Sequence, residues 1–186
     1  MVSSEAWQRG WRTTHYSLFT THLFQANADL RALFPIAEAD LAALPGFVQE
    51  AAKAAGEEKG LGPVVTLSRS LIVPFLQFSP KRALRRQAYE AWVARGANGG
   101  ETDNRGIAAE ILKLREERAK LLGYDSFAAY RLEPELAKTP AAVRGLLERV
   151  WEPAKRKALG DAGVLEAMLR ADGIAGPLEA WDWRYY

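Results

Sequence analysis

His15 and His22 are the two imidazoles of the chain, and a catalytic zinc needs about three protein ligands with histidine prominent among them. A helical HExxH motif would put two imidazoles on one face with the glutamate as base, but no such motif occurs. His15 and His22 stand seven residues apart, so on one helix they share a side but lie two turns apart. Sharing a metal would require a bend, and an ordinary polar or half-buried role fits them better. No serine sits in a nucleophile-elbow pattern, and neither histidine has a neighbouring cue for a Ser/His/Asp arrangement. The residues therefore assign no catalytic, cofactor-binding or metal-binding position, and no cofactor is expected in this chain.

Three further groups have the residue types for binding. The run Asn98-Gly99-Gly100-Glu101-Thr102-Asp103-Asn104 is a glycine-hinged loop before a helix start, where an anion or a peptide carboxylate could sit. It could equally be a capped loop, since Asp103 near the helix start would itself answer the positive end of the dipole. Trp92, Arg95 and Trp151 could stack on a ligand, although tryptophans on apolar helix faces more often belong to a core. Lys81, Arg82, Arg85 and Arg86 are the densest basic cluster; on one helix they read as a solvated face rather than a nucleic-acid site.

The elements that must position these groups read mainly as α-helix. A rough stripe of Trp7, Trp11, Leu18, Phe19 and Leu23 runs from Trp7 to about Asn27. Asp40 can cap a short helix that Pro45 resets, and Phe47, Val48, Ala51, Ala54 and Ala55 then keep helical spacing as far as Gly60 and Gly62-Pro63. Val64 to Leu67 and Leu71 to Phe78 are β-branched and aromatic enough to read as extended, with Pro74 confining the second to an edge. Ser79-Pro80 is a cap-plus-proline helix start, and Leu84, Ala88, Ala91 and Trp92 line the inner face that follows. After a loop at Gly96 to Gly100, Thr102 or Asp103 can cap a helix with the stripe Ile107, Ile111, Leu114 and Leu121, ending at Gly123. Ser126 starts a short helix through Tyr130, and Thr139-Pro140 opens the cleanest stripe: Val143, Leu146, Leu147, Val150, Trp151 and Ala154. That stripe is expected to be a main core element, kinked at Pro153. Val164, Leu165, Met168 and Leu169 suggest one more short helix closed by Asp172-Gly173. The closing Trp181-Asp182-Trp183-Arg184-Tyr185-Tyr186 is expected to need a surface to bury against, and so to favour self-association.

Composition narrows the class. With 48% apolar and 26% charged residues in 186, the chain has the makings of a packed core and none of the signature of disorder. A net charge of +2 from 25 basic and 23 acidic side chains is too balanced to imply nucleic acid. No stretch approaches the roughly 20 apolar residues of a membrane span. The absence of cysteine excludes disulfides and thiolate metal sites and suits a reducing compartment, and the N-terminus lacks the pattern of a signal peptide. A cytoplasmic protein is expected.

Several ordered words carry a resemblance. Arg95 to Arg105, Leu114-Arg115, Ala119 to Tyr124 and Ser126-Phe127-Ala128, then Ala137 to Pro140, Val150-Trp151 with Pro153-Ala154, and the closing WDWRYY resemble the peptidyl-dipeptidase and oligopeptidase A branch of the M3 metallopeptidases. Leu41 to Pro45 and Thr66 to Ser70 are also similar. The likeness covers roughly residues 23–186; residues 1–22 depart from it, and Leu136 stands where the pattern has methionine, a nearly volume-conserving change.

The resemblance implies a long helical enzyme of two lobes around a deep channel, acting on short peptides with one zinc held by HExxH and a downstream glutamate. None of that machinery matches a position here, and the sequence stops where the family would continue toward its catalytic half. The expectation is a segment truncated at its C-terminus that supplies scaffold and channel wall, is inactive alone, and associates with the missing catalytic lobe or with itself through exposed apolar surface. The alternative is a free-standing helical binding module derived from that scaffold.

Overall fold

A computed structural model describes residues 33–186. The boundary between residues 22 and 23, the helical stripe near Trp7 and both histidines lie outside the described residues. The described architecture is mainly helical: β1 (Leu33–Pro35), α1 (Glu38–Leu41), α2 (Gly46–Glu57), β2 (Val64–Thr66), α3 (Arg69–Phe78), α4 (Arg82–Val93), a 3₁₀ turn (Gly100–Thr102), α5 (Arg105–Leu121), α6 (Phe127–Leu132) and α7 (Pro140–Ala171). The described residues divide into two compact units, one holding residues 105–164 and the other residues 33–104 together with 165–186.

In the unit with the split sequence, β1 and β2 pair antiparallel with Phe34 opposite Val65. Its core joins Leu41 and Leu44 to Val48 and Ala52 of α2, Val65 and Leu67, and Leu71, Ile72, Phe75 and Leu76 of α3. Those α3 positions fall at i, i+1, i+4 and i+5, one face of a helix. Leu71 to Phe78 is therefore helical rather than extended, and Pro74 sits inside it. The β-structure expected over residues 64–78 is confined to Val64–Thr66.

Other boundaries shift for local reasons. Asp40 lies within α1, whose N-cap position is Ala37. The buried face of α2 is Val48, Ala52 and Gly56, while Phe47 is exposed; the face is offset from the expected stripe and brings Gly56 against the backbone at Gly62. Ser79 closes α3 instead of opening α4, which begins at Arg82 after Lys81. Ala88 of α4 is buried in the core, with Leu84, Ala91 and Trp92 packed against it.

In the other unit, α5 ends in a Schellman motif: the Tyr124 and Gly123 N–H groups donate to the carbonyls of Ala119 and Lys120 at 3.0 Å each, with Gly123 at φ +84°. The Ser126 hydroxyl caps α6 by accepting from the Ala129 N–H at 3.1 Å. The Arg115 and Arg118 guanidiniums lie 5.2 and 5.1 Å from the ring centres of Phe127 and Tyr130. Thr139 caps α7 through Ala142 N–H at 3.2 Å, and the helix passes through Pro153 to Ala171, absorbing the separate helix expected at Val164 to Leu169.

The core role expected of the Val143 to Ala154 stripe is not observed. Leu147 and Trp151 are 61% and 63% exposed, and Leu146 and Val150 are also open. The sequence pattern identified an apolar face correctly, but it does not specify what covers that face.

Candidate functional site

The most strongly built polar arrangement lies in the split unit, where α4 receives the C-terminal aromatic segment. Successive helical turns place Arg82, Arg85, Arg86 and Tyr89 along one face of α4. The carboxylate of Asp182, fully buried, accepts from Arg82 Nη2 at 2.7 Å and Nε at 3.1 Å, from Arg85 Nη2 at 2.9 Å, and from the Glu179 N–H at 3.1 Å. Arg85 is itself buried and donates through Nη1 to the Ser79 carbonyl at 2.8 Å, with its guanidinium 4.0 Å from the Tyr185 ring centre. The Trp181 ring stands against Tyr89 at 6.4 Å and Arg86 at 5.2 Å.

Burial alone would push the Asp182 carboxyl up, but the hydrogen bonds from Arg82, Arg85 and the Glu179 backbone outweigh it and hold the group below the usual carboxylate range. Its hydrogen bond with Asp182 raises the Arg82 guanidinium. With its acceptor positions engaged, this carboxylate is suited to holding the tail rather than to moving a proton. The basic cluster is thus not simply a solvated face, since Arg85 is fully inside it. The surface expected for the tail is supplied in part by the chain itself: Trp181, Asp182 and Tyr185 are engaged on α4, and Trp183 is 43% exposed.

Beside this clasp of Asp182 by Arg82 and Arg85 is an open cavity of about 520 Å³ lined by Gln77, Phe78, Met168, Ala171, Asp172, Tyr185 and Tyr186. The Tyr186 hydroxyl donates to Asp172 Oδ2 at 3.0 Å, and burial together with this bond raises the phenol above its ordinary value.

The Asn98 to Asn104 loop is organised by its own polar groups. Gly99 and Gly100 take left-handed conformations at φ +75° and +74°. The Gly99 N–H donates to Asp103 Oδ2 at 3.1 Å, and the Asn104 N–H to the Gly96 carbonyl at 2.7 Å. Asp103 therefore ties the loop back onto Gly99 before α5. Arg95 leans back on its own helix, donating to the Trp92 carbonyl at 2.9 Å, while Trp151 belongs to the other unit. Asp182 was missed as a polar anchor because its arginine partners lie 97 and 100 positions away; the available signal was a lone acid inside an aromatic run.

Among the described residues no group of three or more His, Cys, Asp or Glu is placed to hold a metal ion. No described helix is long and apolar enough to cross a membrane.

The fold is thus a helical scaffold with a pinned aromatic terminus. A sequence profile of peptidase family M3 matches residues 75–186, the stretch that contains α4, the clasp and all of α7, and the chain belongs to that family. It is 34% identical over 154 residues to oligopeptidase A of Escherichia coli K12, covering 80% of this chain and 23% of that protein. It is 35% identical over 147 residues to a probable cytosolic oligopeptidase A of Arabidopsis thaliana, covering 74% and 20%. To a dipeptidyl carboxypeptidase of Salmonella typhimurium it is 28% identical over 148 residues, covering 78% and 22%. The chain spans under a quarter of the length of the curated relatives it matches.

Proposed function

We infer that this chain supplies scaffold and substrate-channel wall to an M3-type zinc oligopeptidase or peptidyl-dipeptidase acting on short peptides, and that residues 1–186 alone neither hold the zinc nor cut a peptide. The observation that carries the reading is the family match over residues 75–186 in a sequence with two histidines and no HExxH. An M3 zinc peptidase needs that motif to assemble its metal ligands and its base. The clasp supports a scaffold role, because a carboxylate committed to two arginines fixes the position of the aromatic segment at the end of the matched stretch.

Metal analysis after dialysis, together with hydrolysis of short peptides by the purified chain, tests the reading. The expected result is no stoichiometric zinc and no cleavage. One tightly held zinc per chain, or cleavage that a chelator abolishes, would overturn it. The free-standing binding module is separated by the coding sequence downstream of Tyr186: an in-frame continuation containing HExxH supports the peptidase segment, and a stop codon supports the module.

A further inference from the structure

The most conspicuous surface left without a role is on α7. Val143, Leu146, Leu147, Val150, Trp151 and Ala154 form one stripe at helical spacing, of which Leu146, Leu147, Val150 and Trp151 are 54–63% exposed. Lys157 and Asp161, paired with each other, close the stripe on its C-terminal side. The stripe from Val143 to Ala154 is about 17 Å long at 1.5 Å per residue, enough to seat three turns of a partner helix.

Charge identifies the occupant. At 100° per residue, Arg144 and Lys155 fall beside one border of the stripe and Arg149 beside the other, against the single carboxylate of Glu148, while Arg156 and Glu152 lie toward the far side. Arg144, Arg149 and Lys155 form no ion pair among the described residues, whereas Lys157 pairs with Asp161 further along. A second copy of this chain would bring the same basic borders against these, an arrangement that like-charge repulsion disfavours. The complementary surface is an apolar helix edged with carboxylates.

We propose that the open face of α7 is a docking site for an amphipathic helix with acidic borders, supplied by the part of an M3 peptidase outside these 186 residues. The source of that helix rests on the functional reading above, because the chain spans 23% of the E. coli relative. The face itself is read from exposure and charge alone. Leu147 and Trp151 make up its centre, and the three unpaired cations beside it set the register and the sign of the partner.

The test uses the full chain and two synthetic helical peptides with the same leucine stripe, one bordered by glutamate and one by lysine. It adds overlapping peptides from the parts of E. coli oligopeptidase A outside the 154 aligned residues. Binding is read by fluorescence anisotropy. The glutamate-edged peptide should bind saturably, at least about tenfold more tightly than the lysine-edged one, and more weakly as salt rises. Leu147→Glu and Trp151→Glu should each weaken it about tenfold or more, while Glu152→Ala on the opposite face should not. At least one acidic-bordered oligopeptidase A peptide should compete.

Because both substituted side chains are more than half exposed, the variants should fold, and circular dichroism confirms that. Equal affinity for the two peptides, binding that survives both variants, or the lack of any competing natural peptide would each overturn the proposal. So would a dimer in light scattering that Leu147→Glu dissolves, which would assign the face to a second copy. Zinc binding or cleavage by the chain would instead defeat the functional reading and leave the peptide result standing.

Discussion

Replacing Asp182 with alanine should strand a cation. The Arg85 side chain is 1% exposed and its counter-charge is fully buried, whereas Arg82 is 28% exposed and can turn toward water. Removing one member of a buried, hydrogen-bonded ion pair costs about 3–5 kcal/mol, because the other charge remains desolvated without compensation. Arg85 would keep its bond to the Ser79 carbonyl and its stacking on Tyr185, which places the expected loss toward the lower end, about 3 kcal/mol. Adding Arg85→Met removes the stranded charge at similar volume and should return most of that loss. Amide hydrogen exchange reports the tail directly, since the Tyr185 and Tyr186 N–H groups donate to the Asp182 carbonyl; urea denaturation reports the unit. A loss below about 0.5 kcal/mol for Asp182→Ala, typical of plain surface positions, would refute the reasoning, as would a double variant no more stable than the single one.

Three other outcomes are expected. Leu147→Ala should change stability by less than about 0.5 kcal/mol in chemical denaturation, while Ile72→Ala, at a position with no exposure, should cost about 2–5 kcal/mol. Gly56→Ala should destabilise by at least about 1 kcal/mol despite the better helix propensity of alanine, because the added Cβ would lie 2.0 Å from the Gly62 carbonyl oxygen; a thermal melt that rises instead would contradict this. Since the Asp182 carboxyl is depressed in the folded chain, its contribution is present above its unfolded value of about 3.9 and is lost as pH falls through the lower folded value. Exchange of the tail amides should therefore accelerate in acid, after correction for the intrinsic rate, and Asp182→Asn should flatten that dependence.

The sequence revealed elements more readily than their neighbours. Gly123 as the end of α5, Ser126 and Thr139 as caps, and Ala88 as an inward residue follow from local backbone chemistry, and all occur. Leu71 to Phe78 was misread because a short apolar run fits a buried strand as well as a buried helix; the pairs Leu71-Ile72 and Phe75-Leu76 carried the helical spacing that Pro74 obscured. Whether the α7 stripe is covered, and that Asp182 reaches Arg82 and Arg85, are facts about distant parts of the chain. No short-range pattern contains them.

The clasp also imposes an order on synthesis. Its arginines are made about a hundred residues before their carboxylate, and residues 105–164, which belong to the other unit, are made in between. A chain emerging from the ribosome can therefore form α5 and α6 while α4 still holds Arg85 without its counter-ion. Closing so long a loop carries an entropic cost that grows with its length, and contacts this far apart in sequence form slowly. Through that interval the half-built unit exposes a cation destined for the interior, so a pause in translation before Asp182 would leave it open to chaperones and proteases.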